Sequence, residues 1–272
     1  MDEITAEFTA QQLAEAPPLL CRAKVTVACK TDLGRVRENN EDKFEYYLPE
    51  EEAQLARKGL VFLVCDGMGG HAAGQIASEL ACKTFIQTYL SHPSSEPEPA
   101  LRAAVAAANR FVLDVGRAIP SRAGMGTTLS GLVLLQGRAI TAQVGDSRVY
   151  RMRGGVLEQL TDDHTWVDEM IRLGMARELA EADPRKHLIT RAIGADQDVQ
   201  PDIVDHGDLE VGDQFLLCSD GLLNHVPDER ILATMSQHAP SEATWKLVGE
   251  ALQEGGSDNC TVMIVRVDDL AR

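Results

Sequence analysis

Three apolar runs follow one another from Thr127 with almost nothing between them: TTLSGLVLLQ, RAITAQVG and SRVYRMR, separated by turns such as Gln136-Gly137 and Gly145-Asp146. A fourth, residues 156–160, follows the Gly154-Gly155 turn. A parallel crossover needs a dozen or more residues, so connections this short commit the strands to antiparallel pairing and predict a meander. They exclude a doubly wound parallel fold.

The rest of the chain supplies further strands and the helices to cover them. AKVTVACKTD alternates like a strand, Lys43–Tyr47 follows as a second, and an acidic loop leads to Leu60–Cys65, which carries no polar residue and reads as a strand buried on both faces. Residues 69–90 place Ala77, Ala81, Phe85 and Tyr89 at helical spacing, and a second helix carries Leu101, Val105, Ala108, Val112 and Val115 on one stripe. After an insertion at 161–198, strands resume in IVDHGDLEVGDQFLLCS, helices are expected at 228–235 and 242–252, and a last strand at 259–267. The simplest account is one α/β domain with antiparallel sheets and flanking helices. It spans 23–272 after an N-terminal extension, residues 1–22, that Pro17 and Pro18 close.

With 44% apolar residues the chain can bury a large core, and a formal charge of −16 argues against a nucleic-acid surface or docking on anionic lipid. The N-terminus has neither the basic region nor the apolar stretch of a secretory signal, and no run is long enough to cross a bilayer, so a cytoplasmic protein is expected. Six cysteines form no C-x-x-C pair; Cys29, Cys65, Cys218 and Cys260 lie in apolar runs and read as small core residues.

The chemistry lies where these runs end. VFLVCDG ends on Asp66, TAQVGDS on Asp146 and FLLCSDG on Asp220, while SDNCTVMIV leaves from Asp258. One Asp-Gly pair is an ordinary turn, but strand ends of one sheet assembly can meet in space, and several carboxylates at one spot repel unless cations lie between them. An all-oxygen ligand set suits Mg²⁺ or Mn²⁺ better than zinc. The segment TDLGRVRENNED, residues 31–42, adds arginine on a turn, able to grip phosphate oxygens, and Asp42 within reach of a metal.

At this point the sequence resembles the metal-dependent Ser/Thr protein phosphatases of the PPM or PP2C family in their bacterial form. The matching segments, in order, are GRVRENNED, VCDGMGGHAAG, GMGTTLSGL, QVGDSRVYR, LTDDHTWV, ITRAIG, FLLCSDGL and GGSDNCTVMIV, spread over 31–267. The resemblance implies an α+β fold: a central antiparallel β-sandwich flanked by helices on both sides, four αββα layers, with a flap-like insertion at about 162–187. It implies that Asp42, Asp66, Asp220 and Asp258, with the Gly67 carbonyl, hold two Mn²⁺ or Mg²⁺ ions, that Asp146 serves a third, weaker metal site, and that Arg37 binds the phosphate. The implied reaction is hydrolysis of phosphoserine and phosphothreonine by direct attack of a metal-bridging hydroxide, with no phosphoenzyme. Phosphorylated proteins are the implied partners, products of a bacterial Ser/Thr kinase; nucleic acid and membrane are not, and a monomer is expected.

One position departs from the family pattern. Many relatives carry histidine two residues after the first motif aspartate, where this chain has Met68. His71 is a candidate replacement as general acid; a structural hydrogen bond at the helix start is the competing role, and a metal-bound water is another proton donor. His164, Thr190 and Arg191 are expected to brace the insertion, and Trp166 and Trp245 to pack. A two-metal phosphodiesterase or nuclease is the runner-up, disfavoured by the acidic surface. A catalytically inert domain binding a phosphorylated partner is a third reading, disfavoured by the complete aspartate set.

Overall fold

The computed structural model describes residues 17–70 and 72–271. The chain opens with β1 (Arg22–Asp32), β2 (Lys43–Tyr47), α1 (Glu52–Lys58), β3 (Leu60–Cys65), a short β4 (Gly67–Met68) and two long helices, α2 (Ala72–Ser91) and α3 (Pro97–Ala118). There follow β5 (Gly126–Thr127), β6 (Leu129–Leu135), β7 (Arg138–Val144), β8 (Arg148–Arg153) and β9 (Val156–Gln159). The insertion carries α4 (Trp166–Arg172) and α5 (Arg177–Glu181), after which come β10 (Asp202–Asp208), β11 (Gln214–Cys218), α6 (Asp220–Leu223), α7 (Asp228–Gln237), α8 (Pro240–Gln253) and β12 (Cys260–Ala271).

Two five-stranded antiparallel sheets, ordered β1-β12-β11-β8-β9 and β10-β7-β6-β3-β2, pack face to face. Strand alternation sorts their side chains into three cores. Phe62 and Val64 of β3 face Phe215, Leu217, Met263 and Val265 between the sheets. Val61, Leu63 and Cys65 turn the other way, onto Phe85 and Tyr89 of α2 and Leu101 and Val105 of α3. On the far side Leu216, Val262 and Ile264 meet Ile231 and Met235 of α7 and Leu247 and Val248 of α8. Because each sheet is covered on both faces, its central strands lack the polar face of an exposed sheet, which is why Leu60–Cys65 is apolar throughout. The expected four layers are present.

The expected meander is not. β6 pairs with β7, and β8 with β9, but β7 and β8 belong to different sheets. The Gly145-Asp146 connection, hairpin-like by sequence, instead carries the chain across the sandwich. Gly145 makes the crossing with φ +102°, and a Cβ there would stand 2.6 Å from the Thr128 methyl. The Gln143 amide holds the turn by donating to the carbonyls of Gly145 and Ser147, 3.0 and 2.6 Å away.

The acidic loop contains a helix, α1, built from good helix formers with Glu52 in its first turn and Arg57 and Lys58 in its last. All six cysteines are free thiols; five are buried and Cys29 is half-buried. Trp245 does not pack in a core: it is 66% exposed, its ring covered by the Lys30 ammonium 4.3 Å from the centroid. Among the described residues no helix is long and apolar enough to cross a membrane.

Candidate metal and phosphate site

The site lies at the end of the sandwich where β3, β7 and β11 finish and β12 begins. Asp66, directly after β3, has its backbone locked: its N–H donates to Thr128 Oγ1 at 2.9 Å, and its carbonyl accepts from Thr128 N and Thr127 Oγ1, both at 2.8 Å. Thr128 Oγ1 lies 2.8 Å from Ser147 Oγ, and the Ser147 carbonyl accepts from Ser130 Oγ at 2.8 Å. This buried hydroxyl chain ties Asp66 to the crossing turn that bears Asp146, joining the two sheets.

Asp42 and Asp220 are fixed by other means. Asp42 is buried, and its Oδ2 accepts from Ser219 Oγ at 2.7 Å, linking the residue before β2 to the residue after β11. Asp220 opens α6, where its Oδ2 accepts from Asn224 Nδ2 at 3.1 Å. Asp258 receives Arg37 Nη2 at 2.5 Å, so the arginine reaches the cluster from the loop between β1 and β2.

That loop is stapled by Asn259. Its Nδ2 donates to the carbonyls of Leu33 and Asn39, both at 2.9 Å, and its Oδ1 accepts from the Glu41 N–H at 2.7 Å. Contact is close enough that Gly34, at φ +81°, could carry no side chain: a Cβ would lie 2.3 Å from the Asp258 carbonyl oxygen. Residues 33–41 and 256–259 thus form one unit holding Arg37 beside Asp258.

Arg37, Asp66, Gly67, Asp146, Asp220 and Asp258 line a single cavity of about 230 Å³. Asp42 sits behind that wall, reaching the cluster through Ser219. His71, the candidate proton donor, lies outside the described residues. Met68 occupies β4, paired to Gly126 of β5.

Burial and mutual repulsion push the carboxyls up. Asp42 is raised to about 6, mainly by burial, against the hydrogen bond from Ser219. Asp146 is raised to about 7, by burial and then by Asp220. Asp66 is held well above the ordinary carboxylate range, by burial and then by Asp42, Asp220, Asp146 and Asp258. Asp220 is raised too, by burial and then Asp258. Arg37 is raised as well, but here that favours the charged form, its guanidinium stabilised chiefly by the hydrogen bond to Asp258.

These carboxylates fit divalent ions. Among the described residues Asp42 Oδ1 and Asp220 Oδ1 are buried with no hydrogen-bond partner, a costly arrangement that a cation would relieve. Among the described residues no three His, Cys, Asp or Glu side chains converge tightly enough to hold an ion by themselves. The donors that line the cavity are carboxylate oxygens, which suit hard divalent ions better than the His and Cys set of a closed zinc cage.

Sequence reasoning passed over Ser219, Thr128, Ser147 and Asn259. Ser219 and Asn259 are adjacent in sequence to Asp220 and Asp258, and that adjacency was the available signal; Thr128 and Ser147 have no signature beyond small size. Of the expected bracing residues, His164 and Arg191 connect through their side chains and Thr190 through its backbone N–H to the His164 carbonyl at 2.8 Å. His164 Nδ1 accepts from Gly145 N at 3.2 Å, which leaves Nε2 to donate to Asp202 at 3.0 Å, while Arg191 bonds the other Asp202 oxygen at 2.9 Å. Burial lowers the His164 pKa, with Asp202 opposing it.

Carboxylates that need cations, beside a guanidinium that needs an oxyanion, define a class: metal-dependent hydrolases of phosphate esters. The family model for protein phosphatase 2C matches residues 35–253, and the chain belongs to that family. It is 36% identical over 249 residues to the serine/threonine phosphatase stp of Listeria monocytogenes, covering 88% of this chain and 94% of that one. The solved S. agalactiae serine/threonine phosphatase superposes with a TM-score of 0.81 at 31% identity, over 90% of this chain and all of the other. The catalytic domain of the serine/threonine protein phosphatase PstP in complex with two manganese ions superposes with a TM-score of 0.75 at 36% identity, over 90% of this chain and 99% of that one.

Proposed function

We propose that the chain removes phosphoryl groups from phosphoserine and phosphothreonine in other proteins, using two divalent ions, Mg²⁺ or Mn²⁺, with Asp146 serving a third and weaker position. The observation that carries this reading is the cavity in which mutually repelling carboxylates face one arginine, with Asp220 Oδ1, and Asp42 Oδ1 behind the wall, buried without a partner among the described residues. Asp42, Asp66, Asp220, Asp258 and the Gly67 carbonyl would hold the two ions, partly through water. Once bound, the ions supply Lewis acidity and a nucleophile made from water near neutral pH.

The chain's own residues do the remainder. Arg37 takes phosphoryl oxygens with its planar fork and stabilises the charge that spreads over them during transfer. Its bond to Asp258 and the Asn259 staple hold that fork in place, so little orientational freedom is lost on binding. His71 is the proposed proton donor to the departing serine or threonine oxygen. Val36 and Leu188, 68% and 57% exposed, each directly precede a residue that lines the cavity, Arg37 and Ile189, and offer apolar surface to a polypeptide. The same reading makes the protein a cytoplasmic monomer opposing a Ser/Thr kinase, in keeping with relatives named as serine/threonine phosphatases.

The test is phosphate release from a phosphothreonine peptide, expected with Mn²⁺ or Mg²⁺ and abolished by chelator. Asp66→Asn and Asp220→Asn are each expected to lower the rate by about a thousand-fold, the scale of several kcal/mol of charge stabilisation. A wild-type protein that releases no phosphate from any phosphopeptide or small phosphomonoester overturns the proposal. Preference for a bis-ester or DNA favours the nuclease reading instead.

A further inference from the structure

A second and larger cleft opens directly from the metal cavity. It encloses about 670 Å³ between the insertion and α6, and it shares Asp146, Ile189 and Asp220 with the metal cavity. That is room for one or two side chains of an extended peptide whose phosphorylated residue occupies the metal end.

The charges on its walls are not equally satisfied. Arg148 is spent on Asp163, gripping both carboxylate oxygens with Nε and Nη2 at 2.7 to 3.0 Å. Arg177 pairs with Glu181 at 3.2 Å. Asp168 accepts from Thr165 Oγ1 at 2.5 Å in the first turn of α4, where the helix end also favours a negative charge. Asp146 and Asp220 face the metal end, where cations would balance them. Lys186 also lines the cleft, and among the described residues its ammonium has no ion pair or hydrogen bond. The unmet demand of the cleft is therefore for an anion.

We propose that this cleft seats a side chain flanking the phosphorylated residue of the substrate, and that Lys186 selects an anionic one there, a carboxylate or a second phosphoryl group. The proposal rests on the phosphatase reading above and adds the substrate class. Lys186 acts on specificity, and its contribution falls within what an ion pair in a partly open setting gives, about two- to fivefold in kcat/KM for a carboxylate. A phosphoryl group, with nearly twice the charge, gains more.

The experiment compares phosphothreonine peptides that carry Glu, Lys, Ala or phosphoserine at each flanking position in turn, read as ratios of kcat/KM within one enzyme preparation. In Mn²⁺ the wild type is expected to prefer Glu to Lys at one or more flanking positions. Phosphoserine against Glu there separates the two anion sources. Lys186→Glu is expected to invert that ratio, Lys186→Gln to bring it to about one, and Lys186→Arg to keep it. Ratios near one in the wild type, or a preference for Glu that survives Lys186→Glu, overturn the proposal while leaving the phosphatase reading intact. Failure of the wild type to hydrolyse any of the peptides overturns both.

Discussion

The floor of the metal cavity and the insertion beside it are both rich in polar groups, but they are held in opposite ways. On the floor, partners come from far along the chain: Ser219 bonds Asp42, Thr128 bonds Asp66, and Asn259 bonds Leu33, Asn39 and Glu41. In the insertion beyond Asp163, which Arg148 grips, they are neighbours: Thr165 with Asp168, Arg177 with Glu181, Arg185 with Asp183. α4 and α5 together bury only Ala180, and Leu173, Leu179 and Leu188 stand exposed. Exposed local pairs contribute little, whereas removing a buried partner costs about 1–3 kcal/mol per orphaned group. The floor therefore keeps a fixed geometry, and the insertion has little holding it in one arrangement.

The largest test of that contrast is Asn259→Ala, which orphans three backbone groups at once. It is expected to cost about 3 kcal/mol, a fall in Tm of roughly 6–12 °C, and to raise KM as the Arg37 loop loosens. A thermal melt identical to wild type would put the floor on the same footing as the insertion.

Chelation tests the floor's charge. Metal at a hundred times its Kd stabilises by about 2.7 kcal/mol per site, so EDTA at pH 8 is expected to lower Tm by roughly 5–10 °C for each site that was filled. Without metal, Asp42 and Asp146 hold their protons to about 6 and 7 in the fold, above the unfolded carboxylates. The stability this contributes is complete below the unfolded carboxylate pKa and disappears as pH rises through 6 to 7. The chelated protein should then be more stable at pH 5 than at pH 8, and the gap from the metal-bound form should narrow in acid. A gap independent of pH would mean that these carboxyls do not share the ions.

Arg37→Ala separates metal holding from phosphate holding. Loss of one charged hydrogen-bonding group predicts a fall in kcat/KM of roughly 10- to 100-fold with calorimetric Mn²⁺ binding retained. Abolished metal binding would assign Arg37 a scaffolding role. The smallest effect is expected in the insertion, where Leu179→Ser, at a 68% exposed position, should change stability by no more than about 0.5 kcal/mol. A larger loss would show that the insertion packs as firmly as the floor.

What could be read in advance follows the range of the signal. The spans of β2 and β3, the apolar stripes of α2 and α3, and the strand-end aspartates are written in consecutive residues. The same aspartates do gather at one end of the sandwich. The meander failed because a two-residue turn specifies a reversal but not the sheet in which the next strand lands. α1 was hidden by an acidic composition that reads as loop, although its seven residues are good helix formers. Trp245 was expected to pack because aromatic residues usually do.

The sequence by itself determined the antiparallel class, the two-sided burial of the central strands and the residue types of a hard-metal, phosphate-binding site, because alternation and turn chemistry act between neighbours. Only the tertiary structure decided that Gly145-Asp146 crosses between sheets, that Ser219, Thr128 and Asn259 support the aspartates, and that the Lys186 ammonium has no partner among the described residues. Those outcomes depend on contacts between residues often more than a hundred positions apart, such as Asp42 with Ser219, and no local pattern encodes them.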